Sequence, residues 1–154
     1  MSGTISSFLI PEKPFPPVCV SAIMESDYLR DEQLLTALRP DLQLPVEKSL
    51  PEEVFQNQTL RPILKMQHIL LAQLFQHYIH KRKDIYFTLT KKAKQDWIAH
   101  SVRTDLRFRN LLVGTIIGHF TAAELEFFHS NEAGCMRRII DLLVQRLQTV
   151  DYKL

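Results

Sequence analysis

No apolar run in the chain approaches the roughly 18–20 residues that a membrane-spanning helix needs, so no membrane association is expected. The opening MSGTISSFLIPEKPFPPVCV has no basic segment of the kind that begins a secretory leader. Prolines also interrupt its apolar part, and a cytoplasmic protein is expected. Cysteine is scarce. Cys19 and Cys135 lie far apart with no CxxC or Cys/His spacing, which argues against a zinc framework and favours two reduced thiols over a bridge. Catalytic signatures are missing as well: there is no GxSxG elbow, GxxxxGK phosphate loop, GxGxxG or HExxH. The case for an enzyme is therefore weak, and no cofactor, metal or catalytic residue is assigned.

With only four glycines set against runs of Leu, Ile, Gln, Lys and Arg, the composition favours helix. A chain of 154 residues fits one domain, large enough to bury about two thirds of its unfolded surface. The expected architecture is an all-α, single-domain bundle of five or six helices over residues 25–154, preceded by an extended Pro-rich arm over residues 1–24. Pro11, Pro14, Pro16 and Pro17 each fix φ and remove a backbone donor, so the arm cannot be helical. It carries Phe8, Leu9, Ile10, Phe15 and Val18, which suit a strap on its own domain or on a neighbour. Charge is split along the chain. Residues 1–58 sum to −5 and residues 59–154 to +7, as if the first part lay against the second or two copies met head to tail.

A short helix is expected from about Asp27 to Leu38, with Ser26 as N-cap and Pro40 at its end. Ser49-Leu50-Pro51-Glu52 has capping-box spacing and should start another helix, running towards Asn57. A long helix from about Leu60 to Arg82 carries Ile63, Leu64, Leu70, Leu71, Leu74, Phe75, Tyr78 and Ile79. That is more than one stripe, so it is expected at the centre, with a break or kink around Gln58–Arg61 because Pro62 is tolerable only near a helix start. Asp84 to Leu89 is strand-like in composition but has no partner strand, and is expected to be a buried connector. Thr90 should cap the next helix, with a bend near Thr104–Asp105. Thr121-Ala122-Ala123-Glu124 is a second capping box, and Asn131 should cap the last helix. In that helix Met136, Ile140, Leu143, Leu147 and Val150 make an apolar stripe.

The segment Arg109 to Asn131 concentrates the groups worth testing. Gly114 and Gly118 are four apart in a helix, where each costs about 1 kcal/mol relative to Ala. A close helix crossing would offset that, or at Gly118 a helix end needing positive φ, with room for a ligand as the other reading. His119 suits a hydrogen-bonded residue at a helix end. Arg107 shares a face with Gly114, so Arg107, Gly114, Gly118 and His119 are a candidate pocket or helix crossing. Asp105 and Arg109 have the spacing of an ion pair. Glu126 and His129 form a single ExxH, where carboxylate-bridged di-iron bundles need two such motifs and two further glutamates. His77 and His80 form an HxxH on the long helix. Lys91, Lys92 and Lys94 fall in the first turn of a helix, where positive charge is unfavourable, and form a candidate anion-binding cluster. Tyr86 and Phe87 beside them would suit stacking on bases or burial.

NQTLRPILKMQH (Asn57 to His68), RFRNLLVGTIIGHFT (Arg107 to Thr121) and RRIIDLLVQRL (Arg137 to Leu147) resemble a family of small all-helical proteins of unknown function. The resemblance covers roughly residues 53–148. Some members of that family carry a glyoxalase label, but the usual glyoxalase fold takes its His and Glu metal ligands from strands of βαβββ units. What the resemblance implies is an all-α fold, and it carries over no catalytic residue. The favoured reading of the whole chain is a helical protein-interaction or self-associating module, with a protein partner or a homo-oligomer. One alternative is a binder of nucleic acid or an anionic ligand through Lys91, Lys92 and Lys94. The other is a metal or small-molecule enzyme around His119, Glu126 and His129.

Overall fold

A computed structural model describes residues 26–44 and 50–153, with the backbone alone described for 26–31. The expected arm, Ser49 and Cys19 lie outside the described residues. Within them the chain is all-α and contains no strand.

The first helix, α1 (Ser26–Ala37), ends just before Pro40, which cannot continue it. Beyond it Gln43 takes a left-handed backbone with φ 46°, held by its own N–H donating to the Asp41 carboxylate at 2.9 Å. That conformation costs a residue with a Cβ roughly 1–2 kcal/mol.

From residue 51 to 66 the chain forms one continuous rod. It comprises α2 (Pro51–Phe55), a π-helical turn (Gln56–Leu60) and α3 (Arg61–Met66), and the joining residues Gln56 and Arg61 keep right-handed helical dihedrals. Leu50, not Ser49, stands in the N-cap position and caps with no side chain; Pro51 fills N1. The sequence implied a break or kink around Gln58–Arg61, and the regular helix is interrupted there: the turn before Pro62 widens, with the Arg61 N–H reaching back to the Gln56 carbonyl. This moves backbone away from the buried proline ring, which would clash in an ordinary turn. A second interruption, not expected, falls at Gln67 (φ −86°, ψ 7°).

After Gln67 comes α4 (His68–Lys81), which buries Leu71, Phe75 and Ile79 but leaves Ile69 70% and Leu70 41% exposed. It is not the central helix that its apolar content suggested, because part of that content lies on the surface. Lys83 and Asp84 then turn the chain with positive φ into a 3-10 turn, Ile85–Thr88. Of the expected buried connector only Tyr86 is buried, and Ile85 is half exposed.

Thr90 caps α5 (Lys91–Thr104) by accepting from the Ala93 N–H. Asp105 ends α5 and begins α6 (Leu106–Ile117), accepting from the Phe108 N–H at 3.1 Å; this is the expected bend. Asp105 does not pair with Arg109. Its carboxylate meets Arg82 at 2.7 Å and Tyr78 at 3.2 Å, while Arg109 donates to the Arg103 carbonyl. Then follow α7 (Ala122–Ser130) and α8 (Glu132–Gln148). Asn131 holds the N-cap position of α8, but its side chain makes no cap and donates to Glu52.

The helix at the centre is α8, which packs against α3, α4, α5, α6 and α7. Its innermost row is Cys135, Ile139, Leu143 and Leu147, all fully buried, with Met136 and Ile140 only half buried. Leu143 and Leu147 of the expected stripe lie in that row, while Met136, Ile140 and Val150 pack against the core from its edge. The Cys135 thiol is free, and burial pushes its pKa up. At one end of the core Phe75 lies within ring contact of Tyr78, Tyr86, Trp97, Phe108 and Tyr152. At the other, Phe55 contacts Phe120 and Phe127. From residue 32 to 44 no apolar side chain joins this core or packs on it.

Candidate functional site

The densest set of buried polar contacts lies where α1, the π turn, the α3–α4 break, the end of α6 and the start of α7 meet. Its foundation is local. Thr121 and Glu124 form the capping box expected from their spacing, with the Thr121 hydroxyl accepting from the Glu124 N–H and the Thr121 N–H donating to Glu124 Oε2 at 2.8 Å. This pins the Glu124 side chain beneath the end of α6. There it accepts three more hydrogen bonds: from the Thr59 hydroxyl at 2.7 Å and from both terminal nitrogens of Arg39, at 2.5 and 2.8 Å. Arg39 also donates to the His119 carbonyl, which the end of α6 leaves without a helical partner.

Arg39 thus reads a two-pronged carboxylate with its planar fork, the geometry guanidinium suits best. Its side chain is only 7% exposed and that of Glu124 18%. Burial alone would raise the Glu124 pKa, but the bonds from Arg39, Thr121 and Thr59 outweigh it and hold the carboxyl below its ordinary range. The Arg39 Nε is buried with no partner among the described residues. Beside it Arg39 walls a cleft of about 290 Å³ with Asp41, Gln43, Asn57, Gln58 and Pro62.

His119 takes the structural place expected of it. Its Nδ1 lies 2.8 Å from the Thr115 carbonyl, which can only accept, so the proton sits on Nδ1. Nε2 then accepts from the Gln67 amide at 2.9 Å. Both ring nitrogens are engaged. Glu126 and His129 are exposed on α7, and no group of three His, Cys, Asp or Glu side chains suited to a metal ion forms among the described residues. His80, one half of the HxxH, bonds to Asp84 and Gln76, while His77 is exposed.

Among the described residues no other helix crosses α6 at the glycines. Gly114 is exposed, and a Cβ built there would meet nothing within 4 Å. Gly118 has φ −61°, so positive φ is not its reason, and its nearest neighbour is the Gly114 carbonyl of its own helix. Arg107 is exposed on the same side as Gly114, which makes an open surface instead of a pocket wall. Lys91 and Lys94 line one shallow cleft with Tyr86, Gln148 and Asp151, but Lys92 is not among its lining residues and the cleft carries an acid. Tyr86 is buried in the aromatic cluster and lies under the Lys94 ammonium at 5.0 Å, so it is not free to stack on a base.

Thr121 and Glu124 were legible from spacing, but Arg39, Thr59 and Gln67 were missed. Arg39 and Glu124 are 85 residues apart. The one available signal was the acidic-to-basic split, which is too coarse to pick an arginine in an acidic segment. No helix among the described residues is long and apolar enough to cross a membrane. Comparison with protein-family models, curated proteins and solved structures finds nothing that matches this chain.

Proposed function

We propose that the protein works by contact with protein, a second copy of itself included, through the open side of the seam between α4 and α6. These helices run antiparallel: Gln67 meets His119 at one end, and Tyr78 meets Asp105 and stacks on Phe108 at the other. Helical periodicity then puts Leu70 of α4 and Leu111 and Gly118 of α6 along the solvent side of that seam, with Gly114 further round on the exposed face of α6. What carries the reading is the pairing of exposed apolar side chains, Leu70 at 41% and Leu111 at 50%, with a glycine whose Cβ position is empty. A partner helix laid along the seam can reach the α6 backbone there while covering the two leucines.

The test is sedimentation of the full chain against Leu111→Glu. Concentration-dependent association that weakens at least about tenfold in the variant is expected, since 1.4 kcal/mol corresponds to that factor. A strict monomer at high micromolar concentration removes self-association.

The second reading, anion binding at the start of α5, is supported by Lys91 and Lys94 sharing a cleft at a helix N-terminus. It is weakened by Asp151 in the same cleft. Binding of single-stranded nucleic acid that falls steeply with added salt supports it, and none at low salt removes it.

A further inference from the structure

Where α3 packs on α8, Arg61 and Arg146 line a cleft of about 250 Å³ together with Leu64, Leu142, Gln145 and Thr149. Most other arginines are committed to partners. Arg39 meets Glu124, Arg82 meets Asp105, Arg103 meets Asp141 and Arg138 meets Gln56, while Arg109 and Arg137 each reach a main-chain carbonyl. That leaves Arg61, Arg107 and Arg146 without a side-chain partner among the described residues, and two of these three share one cleft. Clefts elsewhere carry an acid of their own: Asp41 beside Arg39, Asp151 beside Lys91 and Lys94, Asp141 beside Arg103. No Asp or Glu lines this one. The last turn of α8 suits one cation through its free carbonyls, and Arg146 stands there. It does not account for the second. Two like charges at one cleft repel, and the half-buried Arg146 is screened less than a fully solvated group. An anion between them removes the repulsion and takes up the guanidinium donors.

We propose that this cleft binds a small phosphomonoester. A pair of guanidiniums matches the near-double charge and the three acceptor oxygens of a phosphoryl group, which a single carboxylate lacks. Gln145, exposed at the rim, brings an amide that can donate to the same oxygens. The Thr149 hydroxyl donates to the Arg146 carbonyl at 2.7 Å, so that carbonyl is already satisfied. Buried Leu64 and half-buried Leu142 give the cleft an apolar side for the organic part of the ligand. The volume is below the roughly 300–1,000 Å³ of drug-sized sites, which restricts the ligand to a phosphoryl group with a small apolar attachment. Arg61 and Arg146 belong neither to the α4–α6 seam nor to the Lys91–Lys94 cleft, so the proposal stands independently of both.

Titration of the full chain with phenyl phosphate, followed through amide NMR shifts, tests it. Saturable shifts are expected at Leu64, Leu142, Gln145 and Thr149, with inorganic phosphate binding more weakly and phenol not at all. Arg61→Gln and Arg146→Gln should each weaken binding about tenfold, as loss of a charge-assisted contact does. Arg107→Gln and Lys94→Gln should leave it unchanged. No saturable shift at high millimolar phenyl phosphate overturns the proposal. So does binding that Arg107→Gln or Lys94→Gln weakens as much as Arg146→Gln, which is a general response to surface cations. Phenyl phosphate binding no tighter than inorganic phosphate marks an adventitious ion only, and overturns it as well. If an arginine variant fails to fold, the wild-type shifts decide: perturbations that miss all four cleft residues overturn the assignment.

Discussion

The side-chain amide of Gln67 meets His119 Nε2 at 2.9 Å, although Gln67 is the residue at which the helical rod breaks and His119 lies just past the end of α6. The two irregular points support each other, and the neighbouring carbonyl of His119 is the one that takes Arg39. The break at Gln67 and the end of α6 are thus tied together by side chains. Most of the polar residues whose loss should be felt are found there.

Removing one partner of the Arg39–Glu124 pair leaves a buried charge unsatisfied. Glu124→Ala should cost on the order of 3 kcal/mol, and more than Arg39→Ala, because it also strips the Thr59 hydroxyl and the Thr121 N–H of their acceptor. The double variant should be more stable than the two single losses added together, since the stranded charge is then absent. Urea melts of the three chains check this; strict additivity would contradict the pairing.

Acid should unfold the protein through two carboxylates. Asp105 is held below its ordinary range by the Phe108 N–H first, with Arg82 and Tyr78 adding to it. Glu124 is held below its range by hydrogen bonds that overcome its burial. In both cases the unfolded chain binds more protons than the folded one in the acid range. Their contribution is therefore complete above the unfolded values of about 4, and is lost as pH falls through the lower folded ones. Glu124→Gln should flatten the fall of the urea midpoint below about pH 4. A variant with the wild-type slope would count against this account.

Gly114→Ala should stabilise the isolated chain by roughly 0.5–1 kcal/mol, because an exposed helix interior gains from Ala and nothing stands in the way of its Cβ. Gly118→Ala should gain less, since its Cβ would lie 3.2 Å from the Gly114 carbonyl. If the α4–α6 seam takes a partner helix at close range, Gly114→Ala should also weaken association. Thermal melts and sedimentation on the same samples separate the two effects.

Phe75→Ala should cost about 3–5 kcal/mol, as deletion of a fully buried ring generally does. Phe75 touches five other aromatic rings, so the surroundings can close the gap only by moving several at once. The near-ultraviolet circular dichroism of Trp97 and Tyr86 should collapse together with the melting temperature. An intact aromatic spectrum in a stable variant would mean the cluster is not the keystone described here.

Local devices were readable in the sequence because each depends on residues three or four apart. The Thr90 cap, the bend at Asp105 and the Thr121–Glu124 box all stand where spacing placed them. Spacing says nothing about which distant group completes a site, so Arg39 and Thr59 stayed hidden. It also misled at Asp105, whose partner i,i+4 along the helix lost to Arg82 and Tyr78 arriving from α4. Apolar count exaggerated the burial of α4, because Ile69 and Leu70 remain on the surface. Glycine spacing suggested a helix crossing, whereas among the described residues a Cβ at Gly114 meets nothing and one at Gly118 meets only its own helix.

The wide turn at residues 56–60 amounts to one residue more than a regular rod requires. Deleting a single position there would restore a regular helix and keep Phe55 and Glu52 in nearly the same phase relative to Ile63 and Leu64, but it would bring the Pro62 ring against the carbonyl of the preceding turn. A homologue one residue shorter in this stretch would then need a different residue in place of Pro62, so length and proline should be inherited together.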